Sequence, residues 1–181
     1  MGSSYRASGA DLKRILKSAC YSRKQMETTT AEGNLVALGI VLPPLPAQGG
    51  NYVPYKIVGN MLFLSGVISL GPDGIITGTA GADSNVEKGY GAARACALTQ
   101  LAVIRRALGS LDRVAEIVSV NGYVNAVLNF PDSPGIINGA SDLLVQVFGE
   151  AGRHVRAAIG LGALPKNALV ELQMTVRIKE S

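Results

Sequence analysis

The stretch Arg156-Ala-Ala-Ile-Gly-Leu-Gly-Ala-Leu-Pro165-Lys-Asn-Ala-Leu-Val-Glu171 predicts two apolar strands joined by a Leu-Pro turn. It places a cation on the first strand and a carboxylate on the second. A guanidinium on a rigid strand can hold a substrate carboxylate through two parallel hydrogen bonds. A carboxylate nearby can orient or deprotonate a water molecule. Arg156 and Glu171 are therefore the first candidate catalytic residues.

The residues around this stretch predict both strands and helices. Apolar side chains alternate with polar ones from Val170 to Ile178, which is typical of a strand with one covered face. Apolar residues between Val86 and Leu108 repeat every three or four positions, as in a helix. The predicted elements are hairpin strands over 52–58 and 61–65, a helix from Asp83 or Ser84 to Leu108, a strand over 111–127, a helix over 136–148, and strands over 155–163 and 169–178. This order predicts an α+β domain with two helices on one face of a mixed sheet.

The basic residues are concentrated at the start of the chain. Residues 1–30 contain six of the 17 Lys and Arg residues and two of the 13 acidic residues, so eleven of each sign remain elsewhere. The net charge of +4 therefore belongs to a basic N-terminal extension, and the neutral remainder argues against a nucleic-acid partner. The extension is a plain tail, a short helix or a mitochondrial-type presequence. We expect a cytoplasmic protein, or a mitochondrial one if residues 1–30 are a presequence.

Prolines and glycines predict how the rest of the chain is divided. Residues 31–50 predict a short helix followed by a linker. The linker is rich in proline and glycine, and such a sequence cannot continue a helix. The compact domain is predicted over residues 51–181. Only 17% of the residues are charged, below the usual quarter, so we expect part of the surface to be buried between subunits.

The composition also argues against several kinds of site. No run approaches the ~18 consecutive apolar residues that span a bilayer, so we expect no membrane partner. Cys20 and Cys96 are too few for a disulfide framework, and no spacing of cysteine and histidine resembles a metal site. We therefore expect neither a metal nor a cofactor.

Four motifs in order resemble one known family. They are Gly59-Asn-Met-Leu-Phe-Leu-Ser-Gly66, Asn121-Gly-Tyr-Val-Asn125, Ile137-Asn-Gly-Ala-Ser141, and Arg156 followed by Leu164-Pro165 and Val170-Glu171. Each motif alone is weak, but together, on the expected strands and helices, they resemble the RidA family, also called the YjgF family. The resemblance covers about residues 31–178 and is closest to a longer subgroup, through the segment from Leu38 to Pro44.

This resemblance implies both a fold and an activity. The implied fold is chorismate-mutase-like, of the bacillus type, in a barrel-like homotrimer with three clefts between subunits. The best understood members hydrolyse 2-aminoacrylate and related enamines or imines to 2-keto acids and ammonia without a cofactor. The implied function is therefore that of a 2-iminobutanoate/2-iminopropanoate deaminase acting on a small carboxylate substrate.

The family's site residues match positions of this chain one by one. Arg156 matches the arginine that binds the substrate carboxylate, and Glu171 matches the glutamate that helps to hold the attacking water. The other implied substrate-binding residues are Tyr52, which lines the cleft, Ser65 and Gly66 of the Ser-Gly turn, Asn138 of the second helix, and Ala158 through its main-chain carbonyl. Ala158 stands where a cysteine is common, and His154-Val155 stands where Pro-Ala is usual, and these departures concern the substrate range.

Each candidate also has a purely structural interpretation. Arg156 can form an interface salt bridge, for instance with Glu171, and Tyr52 can be a packing residue. Ser65 can satisfy a turn, and His154, the only histidine, can be structural. Two other functions stay open: a non-catalytic trimer that binds 2-keto acids and needs Arg156 but not Glu171, and an endoribonuclease or translation inhibitor.

Overall fold

The computed structural model describes residues 30–45 and 49–180 of the 181-residue chain. The predicted basic extension lies outside the described residues except for Thr30. Its interpretation as a tail, a short helix or a presequence therefore stays a prediction. Residues 46–48 of the predicted linker also lie outside the described residues. The described residues contain three α-helices and a mixed sheet, which confirms the predicted α+β fold class.

We number the elements in chain order. The helices are α1 (Ala31–Ala37), α2 (Val86–Leu108) and α3 (Ser133–Phe148). The strands are β1 (Tyr55–Val58), β2 (Met61–Leu64), β3 (Val67–Ile68), β4 (Leu70–Gly71), β5 (Gly74–Ile75), β6 (Val114–Asn125), β7 (Val155–Leu161) and β8 (Val170–Ile178). Short 3-10 turns lie at Leu111–Arg113, Gly149–Gly152 and Pro165–Asn167.

The sheet has the strand order β1-β2-β8-β6-β7, and β3 pairs with β8 beyond the end of β2. β7 is parallel to β6, because α3 carries the chain back along the sheet between the two strands. The other strand pairs of the sheet are antiparallel, and β4 and β5 form a small separate hairpin. The 12-residue strand β6 therefore lies between the two strands that carry Arg156 and Glu171.

The predicted start of the long helix α2 was wrong by a residue or two. Asn85, not Asp83 or Ser84, caps the helix, and its side-chain oxygen accepts from the Lys88 N–H at 2.8 Å. Asp83 is engaged earlier, because its carboxylate accepts from the Thr79 N–H and closes the preceding turn. The predicted end at Leu108 is confirmed, and Gly109 after it has the left-handed φ of 81° that suits a helix C-cap.

The structure also starts α3 earlier than the sequence predicted. The helix begins at Ser133 rather than at residue 136, because proline is tolerated in a first helical turn and Pro134 sits there. The Asp132 carboxylate caps this end by accepting from the Gly135 N–H at 3.0 Å. This earlier start adds a turn to the helix that carries Asn138.

Both long helices pack on one face of the sheet, as predicted. Leu172 and Met174 of β8 are buried on this face, and Val120 of β6 is aligned with Met174. Gly122 of β6 leaves room for α3, since a Cβ atom there would lie 2.5 Å from the Ile137 side chain. The close approach of α3 to the sheet brings its polar residues to the edge formed by β7.

The short helix α1 packs into the same core as the sheet. Leu35 is 1% exposed, and the Asn34 side chain donates to the Val147 carbonyl at 2.8 Å. The Glu32 carboxylate forms a salt bridge with Arg105 near the end of α2 and accepts from the Leu111 N–H at 2.9 Å. These contacts fix α1 against α2 and α3.

The opposite face of the sheet keeps apolar side chains exposed in one protomer. Phe63 is 46% exposed and is aligned with Thr175, while Ile159 is 45% exposed and shares its face with Tyr123 and Glu171. The predicted homotrimer would cover this open face, and it stays a prediction. None of the described helices is both long enough and apolar enough to cross a bilayer.

Candidate active site

Arg156 and Glu171 lie on opposite faces of the sheet. Arg156 is aligned with Val120 of β6, and Glu171 is aligned with Tyr123 of the same strand. These two β6 positions are three residues apart, and side chains alternate between faces, so the two charged groups point to opposite sides. Within one protomer the structure therefore does not bring the two predicted catalytic residues together.

Arg156 belongs to a polar cluster at the edge of the helix-covered face. Its NH1 group donates to Asn138 Oδ1 at 2.8 Å and to Ser141 Oγ at 3.0 Å. Asn138 and Ser141 are three residues apart in α3, so both side chains meet the strand from one face of the helix. We call Arg156, Asn138, Ser141 and His154 the arginine cluster.

The guanidinium keeps one edge available for a ligand. NH1 of Arg156 donates to two side chains of α3. Nε and NH2 of Arg156 have no hydrogen-bond partner among the described residues. These are the two nitrogens that form parallel hydrogen bonds to a carboxylate. The cluster therefore fixes the orientation of the guanidinium and leaves its Nε and NH2 edge open.

His154 is held from both sides of its ring. Nδ1 lies 2.7 Å from the Gly152 carbonyl oxygen, and Nε2 lies 3.0 Å from Ser141 Oγ. A carbonyl oxygen can only accept, so we assign the proton to Nδ1, and Nε2 of the neutral ring accepts from the Ser141 hydroxyl. Burial lowers the pKa of His154, and the nearby charge of Arg156 lowers it further, against the opposite effect of the Gly152 carbonyl.

Ala158 lies on the same side of β7 as Arg156. It is two residues further along the strand, aligned with Gly122, and it packs half-buried against the core. The role of its main-chain carbonyl in substrate binding stays a prediction.

Glu171 lies in a groove of about 780 Å³ that also contains Tyr52, Ser65 and Gly66. The structure therefore brings these four predicted site residues together. Further walls of the groove are apolar (Val67, Ile68, Leu70 and Ile75) or polar (Thr99, Lys166 and Gln173). We call this cavity the glutamate groove.

The turn formed by Ser65 and Gly66 is fixed by several hydrogen bonds. The Ser65 hydroxyl donates to the Val53 carbonyl at 2.7 Å, so it does satisfy a turn, as its structural interpretation proposed. Gln100 of α2 is buried and donates from Nε2 to the carbonyls of Ser65 and Leu172, both at 2.9 Å. The Ser65 side chain therefore organises the groove wall in the protomer.

Gly66 allows the Glu171 carboxylate to lie directly against the main chain. A Cβ atom at Gly66 would be 2.2 Å from Glu171 Oε1, so any larger residue would displace the carboxylate. Burial raises the pKa of Glu171 above its ordinary value, because desolvation disfavours the charged form. A carboxylate with a raised pKa is a better proton acceptor when it is ionised.

The turn that closes the groove has an unusual backbone. Lys166 and Asn167 follow Pro165 with positive φ values of 56° and 55°, which are uncommon for residues other than glycine. The Asn125 side chain, which is buried in β6, donates to Asn167 Oδ1 at 3.1 Å and so supports this turn. The turn brings Lys166 to the wall of the glutamate groove.

Sequence reasoning missed several residues that the structure adds to the site. Ser141 was part of a family motif, and its spacing of three from Asn138 on a helix is the signal that could have found it. His154, whose sequence position allows a structural role, contacts Ser141 directly and so belongs to the cluster. No sequence pattern indicated Gln100, because its role depends on two carbonyls that are distant from it in the sequence.

The candidate residues thus form two separate half-sites. The arginine cluster holds Arg156 and Asn138, with Ala158 beside it, and the glutamate groove holds the remaining candidates. In the part of the chain that the structure describes, no three His, Cys, Asp or Glu side chains lie together as metal ligands.

Comparisons with known proteins identify the family. Residues 32–177 match the family described as YjgF/chorismate mutase-like, putative endoribonuclease. Protein TCP17 of Trypanosoma cruzi is 44% identical over 147 residues, which cover 80% of this chain and 92% of that protein. The crystal structure of the protein Atu1372 from Agrobacterium tumefaciens, described as having unknown function, has 41% identity and a TM-score of 0.76 over 82% of this chain and 92% of that chain.

A second crystal structure, from Shewanella oneidensis and described as a putative endoribonuclease, has 37% identity and a TM-score of 0.79 over 82% of this chain and 99% of that chain. The family match extends over most of this chain, and the relatives are similar over nearly their whole length. The chain therefore belongs to the YjgF/chorismate-mutase-like family, which is also called RidA.

Proposed function

We propose that this protein is an enamine/imine deaminase that hydrolyses 2-aminoacrylate-type intermediates to 2-keto acids and ammonia. In this proposal it acts as a homotrimer, and the arginine cluster of one protomer faces the glutamate groove of the next. The observation that supports it best is the open Nε and NH2 edge of Arg156, which is fixed through NH1 by Asn138 and Ser141.

The proposed reaction needs few groups, because a protonated imine is already an electrophile. Arg156 binds the substrate carboxylate, and Glu171 takes a proton from the water whose oxygen attacks the imine carbon. 2-Aminoacrylate becomes this imine when its methylene carbon takes up a proton from solvent. The carbinolamine formed by water addition takes the proton back from Glu171 on its nitrogen, and the nitrogen leaves as ammonia when the C–N bond breaks. Loss of the hydroxyl proton then leaves the 2-keto acid. In this proposal the side chain of the substrate packs against the apolar wall of the glutamate groove, from Val67 to Ile75.

The test uses 2-aminoacrylate generated enzymatically and measures pyruvate release. We expect the wild-type protein to release pyruvate faster than buffer does. Arg156→Ala should lose roughly 2–4 kcal/mol of carboxylate binding, and Arg156→Lys should restore little of it, because an ammonium lacks the planar fork. Arg153→Ala is the matched control, since Arg153 is exposed and pairs only locally with Glu150. Equal rates for wild type and buffer would contradict the proposal.

A non-catalytic carboxylate-binding protein is the second candidate function. It is favoured by the arginine cluster taken alone, because that half-site needs nothing from the glutamate groove. Glu171→Ala separates the two candidates. Lost turnover with retained binding of a keto acid supports the deaminase, whereas keto-acid binding without turnover in the wild type supports the binding protein.

A ribonuclease is the third candidate, and the descriptions of the family and of the Shewanella protein as putative endoribonucleases favour it. The charge distribution argues against it, because residues 31–181 carry no net positive charge. Cleavage of RNA that disappears at high salt and in Arg156→Ala would support this function instead.

A further inference from the structure

We propose that Gln100 of α2 is the positioning residue of the glutamate groove. Its side-chain amide fills a gap in the sheet and fixes the main chain against which the Glu171 carboxylate lies. The proposal rests on the proposed function in one respect, that Glu171 activates water, whereas the placement of Glu171 is measured without any turnover.

The sheet has a gap between the end of β2 and the start of β3. Phe63 of β2 is aligned with Thr175 of β8. Val67 of β3 is aligned with Leu172 of β8. The chain takes four steps from Phe63 to Val67, whereas β8 takes three over the same span, so one extra residue is accommodated, as in a β-bulge. Bulges are frequent next to active sites, where they re-aim a side chain or interrupt strand pairing.

The Gln100 amide supplies hydrogen bonds at the place where strand pairing is interrupted, since buried main-chain groups need partners. Gln100 is buried in α2, and its Nε2 donates to the Ser65 carbonyl in the gap and to the Leu172 carbonyl of β8, both at 2.9 Å. A carbonyl oxygen can only accept, so the amide nitrogen must face both of them. One side chain therefore ties the two edges of the gap together.

The oxygen of the same amide is used differently from its nitrogen. Oε1 of Gln100 is buried and has no hydrogen-bond partner among the described residues. An unpartnered buried oxygen costs stability, and departures of this kind are expected at functional sites. Gln100 is therefore better explained by what its nitrogen holds in place than by a gain in stability.

Both carbonyls that Gln100 holds are connected to Glu171. Ser65 shares a peptide group with Gly66, and a Cβ atom at Gly66 would lie 2.2 Å from Glu171 Oε1. Leu172 directly follows Glu171 on β8. Gln100 therefore fixes the main chain that carries Glu171 and also the main chain on which its carboxylate rests.

Gln100→Met keeps the length of the side chain and removes its hydrogen-bond donors. We expect kcat of imine hydrolysis to fall by roughly 10- to 100-fold, because a catalytic group misplaced by about 1 Å can cost this much. KM should change by less than about threefold, because Arg156, which binds the substrate carboxylate in the proposed function, lies on β7 and away from the gap. A raised KM with unchanged kcat would overturn the proposal.

The matched control is Cys96→Ala. Cys96 is buried in α2 one turn before Gln100, and its thiol donates to the Val170 carbonyl of β8 at 3.6 Å. The control also removes a buried side chain and a hydrogen bond between α2 and β8, but it leaves the gap intact, so kcat should stay close to that of the wild type. An equal loss of kcat in both variants would overturn the specific role of Gln100.

A double variant tests whether Gln100 acts through Glu171. Gly66→Ala places a methyl group where Glu171 Oε1 lies, and so displaces the carboxylate by itself. Once the carboxylate is displaced, Gln100→Met should lower kcat little further, because changes that act on one shared group are not additive. Two losses that multiply would show that Gln100 acts through another group.

The placement of Glu171 is measured directly by 13C titration of the side-chain carboxyls, with Glu171→Gln to assign its signal. Burial raises the pKa of Glu171, so a carboxyl that leaves its place for solvent should titrate nearer to the ordinary value of about 4.3. We therefore expect the pKa of Glu171 to be lower in Gln100→Met than in the wild type. This variant removes none of the other titratable side chains around Glu171, which are Tyr52 and Lys166 on the groove wall, Cys96 on α2 and Tyr123 on β6.

An unchanged Glu171 titration or an unchanged kcat in Gln100→Met would also overturn the proposal. If thermal melting shows that this variant does not fold, the wild-type protein provides the test. Its Gln100 side-chain amide protons should exchange slowly with solvent, and fast exchange would show that they do not hold the gap. A wild type without imine turnover, with a Glu171 pKa that still falls in Gln100→Met, would remove the deaminase and keep Gln100 as the residue that places Glu171.

Discussion

Burial raises the pKa of the Glu171 carboxyl. The folded protein therefore binds a proton at this carboxyl more tightly than the unfolded chain does. Stability linked to this group is therefore present at low pH and is lost as the pH rises from the unfolded value of about 4.3 through the folded pKa. We expect Glu171→Gln to raise the free energy of unfolding at neutral pH by roughly a few tenths of a kcal/mol, because the half-exposed group is screened by solvent. Denaturant unfolding at pH 7 measures this gain.

The matched control for that prediction is Glu116→Gln. Arg177 lowers the pKa of Glu116 through a hydrogen bond and its charge, so ionised Glu116 stabilises the fold rather than weakening it. Glu116→Gln should therefore not stabilise the protein at neutral pH. A Glu171→Gln variant that is less stable than the wild type would show that Glu171 has a stabilising partner. That result would contradict the conclusion that burial disfavours its ionised form.

Gly66 gives a way to move the Glu171 carboxylate without removing it. The new methyl group of Gly66→Ala would meet the end of a flexible side chain, so the fold should be kept while the carboxylate is displaced. If Glu171 activates water, we expect kcat to fall by roughly 100-fold. Steady-state imine turnover measures this loss, with circular dichroism as the check on folding.

Gly162→Ala is the control for that change, since a Cβ atom at Gly162 meets nothing within 4 Å. It should leave both turnover and stability close to those of the wild type. Unchanged turnover in Gly66→Ala would mean that the position of Glu171 does not matter for the reaction.

The sequence did not predict the arrangement of the candidate site residues, whose roles stay predictions. It placed Arg156 and Glu171 on consecutive strands, which suggested a direct pair. Strand order is decided by pairing between distant segments, and β6 was inserted between these strands by such pairing. The contact of Ser141 with His154 was hidden for the same reason, because it forms only when α3 packs beside β7.

At the level of whole elements, α2 and α3 approach each other closely where Gly139 meets Tyr90. A Cβ atom at Gly139 would lie 2.0 Å from the Tyr90 carbonyl oxygen, which belongs to the backbone and cannot rotate away. We expect Gly139→Ala to destabilise the protein by about 1–3 kcal/mol, because the two helices must move apart. Since Asn138 precedes Gly139 on α3, binding of a keto acid should weaken as well.

Gly91→Ala on the facing helix should have the opposite sign. Gly91 is exposed in α2, and a Cβ atom there meets nothing within 4 Å, so alanine should stabilise the helix by about 0.5–1 kcal/mol. Denaturant unfolding of the two variants measures the contrast. Two stabilising substitutions would contradict the close helix contact.

The periodic elements were the most predictable part of the fold. The pattern of α2 and the alternation of β8 each extend over enough residues for the apolar spacing to identify the element. The two-residue strands β3, β4 and β5 are too short to show any period. Asp83, Ser84 and Asn85 are all good capping residues, so spacing alone could not choose between them.

On the scale of the whole molecule, the two half-sites lie on opposite faces of one sheet. An assembly that forms the proposed site must therefore bring half-sites of different copies together. No rotation of side chains can bring Glu171 to Arg156 across the strand that separates them. A neighbouring copy can do so if its glutamate groove covers the arginine cluster. The exposed apolar side chains of the open face, such as Phe63 and Ile159, give such a contact a surface to bury.

This arrangement predicts that two inactive variants can restore each other. Arg156→Ala lacks one half-site, and Glu171→Gln lacks the other. In a cyclic trimer that mixes them, a cleft is intact where the Glu171→Gln chain supplies Arg156 and its neighbour supplies Glu171. With random mixing of equal amounts, about a quarter of all clefts are intact, so about a quarter of the wild-type turnover should return.

The control is the double variant, Arg156→Ala with Glu171→Gln, refolded together with either single variant, which can form no intact cleft and should stay inactive. Native mass spectrometry shows whether mixed trimers have formed. Mixed trimers without recovered turnover would place both half-sites in the same cleft of a single protomer. That result would contradict the sheet register, in which Arg156 is aligned with Val120 and Glu171 with Tyr123. Recovery in the mixture alone would show that the reaction requires two copies of the chain.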